Sequence, residues 1–371
     1  MAKGFWTEQK KWLLIALVII GGGILFFTSH NERFYQQPIA KVISEKTTGK
    51  RKTKDQFENV DHQYNQQLKV RMMNGKYQGQ VLTVQNTYSD SRPMDQRYRV
   101  GNDIFLTQVR KQNGKLSANV DGYKRDTVIV FLLWLVTLML LLLMGHAGLL
   151  ALISVVINAI LFLIAIEIDL KQNGQHIMLL FSVLAIIFTF ISLLLVLGFS
   201  KRMLATFAAT VIGTFVALGV SVLVFSWTHE RGVYYESMEY VTQVPRPLFL
   251  AETLLGSLGA VMDESSDIIA TLFELKQLNP QVTRKQLFIS GRNVGKSIMG
   301  PLVNVLFLIF MVDTFTGSLL YIKNGNSWGY TYAMNMSLGT IQSLISGIGI
   351  VLSVPLVSLF GALLLGKGTR K

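Results

Sequence analysis

Apolar runs long enough to cross a bilayer occupy most of this chain, at Trp12–Thr28, Thr127–Met144, Gly148–Ile168, Ile177–Phe199, Met203–Trp227, Ser297–Tyr321 and Met336–Leu365. A hydrocarbon core of about 30 Å takes roughly 20 apolar residues of helix, and every backbone polar group inside it must be bonded internally. An α-helical integral membrane bundle is therefore expected. Half of the 371 residues are hydrophobic even though one long polar block lies near the N-terminus. The absence of Cys excludes disulfides, thiolate metal sites and a Cys nucleophile.

An eighth run, Pro247–Leu272, is complicated by acids: Glu252, Asp263, Glu264, Asp267 and Glu274 all fall between Leu248 and Leu278. At 100° per residue, Glu252, Gly256, Gly259, Asp263, Asp267, Ala270 and Glu274 lie within about 80° of one another, and Glu264 points about 100° away from Asp263. An ionised Asp at the middle of a spanning helix costs roughly 2.5–3.5 kcal/mol, so such a stripe is expected to face protein or water. Basic clusters decide whether the segment spans. Lys3, Lys10 and Lys11, then Lys201 and Arg202, then Lys276, Arg284, Lys285, Arg292 and Lys296, and finally Lys367, Arg370 and Lys371 all fall on one side if there are eight spans with both termini cytoplasmic. With seven spans the last two clusters would change sides.

The expected layout is an N-terminal membrane anchor over 1–28, an extracytoplasmic β-rich domain over 29–126 and a seven-span membrane domain over 127–371. The sequence Phe26-Phe27-Thr28-Ser29-His30 offers no small-residue cleavage site, which favours an uncleaved anchor. The polar block carries 18 Lys and Arg against 10 Asp and Glu, and blocks of this length translocate largely regardless of charge. Alternation at Leu68–Met72, the turn signal Asn74-Gly75 and the run Gln80–Val84 predict a hairpin. Tyr98–Val100, Asp103–Leu106 and Lys115–Val120 suggest further strands, and a small antiparallel barrel-like domain is the simplest arrangement. Its basic surface would attract an anionic envelope polymer or lipid head groups, or would simply be solvated. Anchoring and topology explain most of the +13 formal charge, so nucleic acid is not an expected partner.

Within the fifth span, Ala205, Ala209, Gly213, Ala217 and Ser221 recur every four residues, a face suited to close helix packing. Gly256 and Gly259 give the acidic helix the same property. The seventh span opens with Gly291-Arg292-Asn293-Val294-Gly295-Lys296-Ser297-Ile298-Met299-Gly300-Pro301. A phosphate loop would require Gly where Ser290 stands, so that motif fails. Asn293, Ser297, Gly300 and Asn304 instead share a helical face, with Arg292 and Lys296 beside it, and Pro301 leaves the Ser297 carbonyl without its helical donor. His146 sits in a tight turn, Met144–Gly148. Signatures of intramembrane aspartyl, serine or zinc proteases are missing, and no metal site, cofactor or catalytic residue is expected.

The run Glu252–Asp263, with its G-x-x-G-A-x-M-D stretch, followed by Glu274, Pro280 and Gly291–Gly300, resembles the YibE/F-like family of bacterial multispan membrane proteins. The resemblance spans roughly Thr127–Leu365, and the polar block is similar to the segment carried by the larger, YibE-like members. It implies a multi-pass protein of the bacterial plasma membrane, Gram-positive in many cases, with a paired YibE/F-like subunit as a partner beside membrane lipids. Lys296-Ser297 and Pro301 depart from it, since Arg-Asp and Thr are expected there.

These observations predict a transporter or exporter component with an acidic path along the sixth and seventh spans. Candidate path residues are Glu252, Asp263, Asp267, Glu274, Arg292, Asn293, Lys296, Ser297 and Asn304. The competing expectation is a non-catalytic envelope scaffold or assembly subunit. An enzyme acting on lipid-linked substrates has only the possibility of Mg²⁺ at interfacial acids behind it.

Overall fold

Two compact units, Met1–Gly148 and Leu149–Lys371, make up the chain in a computed structural model that describes residues 8–92, 95–112, 115–238 and 244–365. Lys3, Lys367, Arg370 and Lys371, used above for topology, lie outside the described residues.

The first unit begins with helix α1 (Glu8–Ser29) and continues through strands β1 (Ile39–Lys54), β2 (Val60–Met72), β3 (Val81–Ser89), β4 (Asp103–Gln112) and β5 (Lys115–Tyr123) to helix α2 (Asp126–Met144). The strands form one antiparallel sheet in the order β3-β2-β1-β4-β5. Leu68 pairs with Val84 and Val70 with Leu82, so β2 and β3 are the predicted hairpin partners. Alternate residues of all five strands build one core, including Val42, Leu68, Val70, Leu82, Ile104 and Leu106.

Three features differ from expectation. The sheet is open rather than barrel-like: its edge strands β3 and β5 come near one another but share no ladder. Closure by hydrogen bonding is what defines a barrel, and it is missing here. Second, β1 runs for 16 residues through a polar, Lys-rich stretch. Only Ile39, Ala40 and Val42 of this strand are buried; β2 pairs with nearly its whole length, supplying the backbone partners that its side chains gave no sign of. Lys50, Arg51 and Lys52 thus lie exposed on the far end of β1, paired with Tyr64, Gln63 and His62 of β2. Third, Tyr98–Val100 forms no strand. The buried Gln66 amide takes the place of a neighbouring strand, accepting from Tyr98 N at 3.2 Å and donating to Tyr98 O at 2.6 Å.

Polar contacts tie the helices of this unit to the sheet. Asp126, at the start of α2, accepts from Asn31 Nδ2 at 3.0 Å, Tyr35 OH at 2.9 Å and Lys124 Nζ at 2.8 Å. Lys124 also donates to the Thr28 carbonyl at the end of α1 at 2.6 Å. Deeper in the helix pair, Trp134 Nε1 donates to Leu17 O at 3.2 Å, and its indole occupies the space a side chain at Gly21 would need.

Helix α3 (His146–Lys171) starts at the boundary between the units. Gly145, with φ of 61°, makes the tight turn from α2, a conformation that disfavours any residue with a Cβ. There follow α4 (Ile177–Leu197), α5 (Lys201–Thr228), α6 (Pro245–Leu278) and α7 (Arg284–Lys323). A short α8 (Trp328–Thr331) then passes through a π-turn at Tyr332–Met336 into α9 (Ser337–Leu365). Ser200 caps α5 through Met203 N, and Thr283 with Gln286 forms a capping box at the start of α7, satisfying donors that the first helical turn leaves free. Pro301 is accommodated inside α7 and Pro355 inside α9.

Among the described residues six helical segments are long and apolar enough to cross a membrane: α2, α3, α4, α5, α7 and the continuous α8–α9 segment. This is a membrane protein. Helix α6 has the length, at 34 residues, but its acids keep it out of that set. The apolar part of α1 among those residues is Ile15–Ser29.

Candidate functional site

Helix α9 is the axis of the second unit, with α5, α6 and α7 packed around it. Small residues set the register. A Cβ added at Gly349 would lie 3.3 Å from Ala217 Cβ and 3.0 Å from Val261 Cγ2; one added at Gly213 would lie 3.3 Å from both Ser353 Cβ and Val261 Cγ1. Thus α5 and α9 run antiparallel, and α6 meets both at Val261. Beside α6, helix α7 packs on another face of α9: Gly295 packs on Val354, and a Cβ at Gly291 would be 2.6 Å from Ser358 Oγ and 3.2 Å from Leu272 Cδ1. Ala205, Ala209, Gly213, Ala217 and Ser221 are all buried. These are the close approaches that small side chains permit in membranes.

One acid lies inside this packing, and it is the one that helical phasing separated from the stripe. Glu264 is 0 % exposed. Ser353 Oγ, also 0 % exposed, bonds to Glu264 Oε2 and lies 2.8 Å from the Ile350 carbonyl. The second carboxyl oxygen, Oε1, has no hydrogen-bond partner among the described residues. The same is true of Ser265 Oγ beside it and of Thr210 Oγ1 and Thr214 Oγ1 on α5, all three residues being fully buried. Since Gly213 meets Val261 in an antiparallel pair, Thr210 lies at the depth of Glu264. Most buried polar groups are hydrogen-bonded, so these four atoms on α5 and α6 single out this part of the bundle.

The predicted stripe lies elsewhere. Glu252, Asp263, Asp267 and Glu274 are all exposed on α6, as are Gly259 and Gly256, the latter with Gln342 Nε2 of α9 2.8 Å from where a Cβ would be. On α7, Arg292, Asn293, Lys296, Ser297 and Asn304 are likewise exposed. Ser297 Oγ donates to the Val294 carbonyl at 2.7 Å, and the Arg292 guanidinium lies over the Phe288 ring with Cζ 5.8 Å from its centre. Among the described residues none of the four stripe acids forms an ion pair with Arg292 or Lys296. Nor do three His, Asp or Glu side chains gather anywhere among those residues as they would around a metal ion.

Glu264 could have been found from the other face of its helix. Leu254, Leu258, Val261, Ile268, Ile269 and Leu272 are buried, and Glu264 and Ser265 fall on the same heptad-like repeat. The large apolar residues mark the packed face, and the glycines beside the exposed acids mark a different one.

Comparison with known proteins covers both units. The family model described as YibE/F-like protein matches residues 132–367, and that of the YibE/F family N-terminal domain matches residues 33–123. No curated protein and no solved structure matches the chain. The first match takes in the helix with the acids, the helix beginning at Arg284 and the central α9, and the second takes in all five strands, so the chain belongs to the YibE/F-like family.

Proposed function

We propose that this protein is a transporter or exporter component of the bacterial cell membrane, with Glu264 as the protonatable group at its centre. In this reading α1 and α6 also span, giving eight spans with both termini cytoplasmic. The exposed acids Glu252, Asp263, Asp267 and Glu274, with Asn293, Ser297 and Asn304 of α7, form the polar approach, and Arg292 and Lys296 balance their charge. The single observation supporting it is the fully buried carboxyl of Glu264, bonded to Ser353 through one oxygen and without a partner among the described residues at the other. An ionisable group inside a helix bundle in a membrane is expensive to retain, which points to use. Ser353 supplies the chemistry of exchange: its hydroxyl has one proton for two nearby acceptors, the Ile350 carbonyl and Glu264. A proton arriving on the carboxyl completes the chain Glu264 to Ser353 to Ile350, and its departure leaves one contact unsatisfied.

Proteoliposomes carrying an imposed pH gradient, read with an internal dye, test the reading. The native chain is expected to collapse the gradient, and Glu264→Gln, which preserves size and the bond to Ser353, to slow this to the rate of empty liposomes. Asp263→Asn with Asp267→Asn should reduce the rate less. Equal rates for the native chain and Glu264→Gln would remove Glu264 from the path.

The exposed polar faces of α6 and α7 favour a second reading, an envelope scaffold that holds another membrane protein and engages an anionic polymer through the strand domain. A stable stoichiometric complex together with no flux in any reconstitution would select it.

A further inference from the structure

We propose that the exposed faces of α6 and α7 form one self-complementary surface that binds a second copy of this chain, side by side in the membrane. The surface has a negative and a positive half. Asp263, Asp267 and Glu274 lie exposed on α6, and Arg292 and Lys296 lie exposed on α7. Their depths match through α9: Ser353 bonds Glu264 of α6, and the adjoining Val354 packs on Gly295 of α7, so Asp263 and Lys296 lie at one level. Likewise Gly291 packs on Ser358, five residues beyond Ser353 along α9, which brings Arg292 level with the segment at Asp267.

A two-fold axis parallel to the helices keeps every residue at its depth and exchanges left for right, so it sets α6 of each copy opposite α7 of the other. Acids then meet bases at the same level on both sides of the axis, as an isologous interface requires. Glycines on both faces allow the approach: a Cβ at Gly259 of α6 or at Gly300 of α7 would meet nothing within 4 Å. The alternative is several unpaired charges on a spanning helix facing hydrocarbon, which is costly at each position. The inference uses the spanning placement of α6 proposed above but not the transport reading.

The chain has no Cys, so engineered thiols report cleanly. Two differently tagged chains, one with Asp267→Cys and one with Lys296→Cys, are co-expressed and treated in native membranes with a short bifunctional maleimide. A product of twice the chain mass bearing both tags is expected, and replacing the second thiol with Leu163→Cys on exposed α3 should abolish it. Asp263→Lys with Asp267→Lys should reduce the dimer in mild detergent to background, and adding Arg292→Glu with Lys296→Glu to the same chain should restore it. Restoration separates charge pairing from misfolding. Absence of the doubly tagged product, loss without restoration, or cross-linking of these thiols only to a different protein each overturns the proposal. Labelling of Leu248→Cys and Leu278→Cys from opposite sides of the membrane by an impermeant maleimide reports separately that α6 spans, so failure of the dimer and failure of the spanning placement are distinguishable.

Discussion

Asn74→Asp is expected to unfold the strand domain, and to do so more completely than Asn74→Ala. The Asn74 side chain is 4 % exposed and holds the segment leading into β1 against the end of β2. Its Oδ1 accepts from Ile39 N at 2.7 Å, while Nδ2 faces the carbonyls of Glu32 at 2.8 Å, Tyr35 at 3.0 Å and Gln37 at 3.0 Å. Alanine removes these bonds and leaves buried groups unpaired, a loss of about 2–3 kcal/mol. Aspartate keeps the bond to Ile39 but turns a carboxylate oxygen toward three carbonyls, so a charge is buried with no donor on that side. Leaving a buried charge uncompensated costs about 3–5 kcal/mol, most of the stability of a domain at the low end of the usual range of about 5–15 kcal/mol. Hydrogen exchange of the intact chain in detergent, read over residues 33–123, would show protection falling in the order native, Ala, Asp. Equal protection in Ala and Asp would mean that the amide donors do not matter.

The same residue shows what the sequence made legible and what it did not. Asn74-Gly75 was readable as a turn between two alternating runs, because turn chemistry and period-2 alternation are local signals. The use of its side chain as a clamp on a segment more than thirty residues earlier was not, since that depends on how β1 returns alongside β2. Strand β1 itself went unread for a related reason. Only three of its side chains enter the core, and its remaining stability comes from backbone pairing that composition does not reveal.

In the membrane the helices were legible from their apolar runs alone. A candidate site on α6 is harder to read, because two periodicities overlap on one helix. Glycines and acids recur along the exposed face, while leucines, isoleucines and Val261 recur along the packed one. The acids that charge singles out lie on the first, and the buried carboxyl lies on the second. Thr210 and Thr214 gave no warning, for threonines in an apolar helix ordinarily bond the carbonyl one turn back, as Thr206 does to Arg202 at 3.0 Å. Only the three-dimensional packing shows that the hydroxyls of Thr210 and Thr214 have no partner among the described residues.

That packing depends on Gly213, and Gly213→Leu is expected to disrupt the second unit. The glycine lies where α5 crosses α9 and α6, with Ser353 Cβ and Val261 Cγ1 each 3.3 Å from where a Cβ would be. Alanine requires shifts of a few tenths of an ångström and should cost little. Leucine extends three more carbons into a space that Ser353 and Val261 fill, and neither has room to withdraw: Ser353 is bonded to Glu264, and Val261 Cγ2 lies only 3.0 Å from where a Cβ on Gly349 would be. Overpacking of this kind costs about 1–3 kcal/mol and more where the backbone must move, as it must between two helices in contact. Gly219 is the matched control on the same helix, exposed and with nothing within 4 Å of an added Cβ. Thermal unfolding in detergent should therefore show Gly219→Leu near the native midpoint, Gly213→Ala slightly below it and Gly213→Leu far below or already unfolded. Because Ser353 and Glu264 sit at this crossing, Gly213→Ala carries a further expectation. A chain that stays folded while α5 is pushed outward should lose the proton flux proposed for Glu264 before it loses stability. If Gly213→Leu melts like Gly219→Leu, the close crossing of α5 and α9 is wrong, and with it the burial of Glu264.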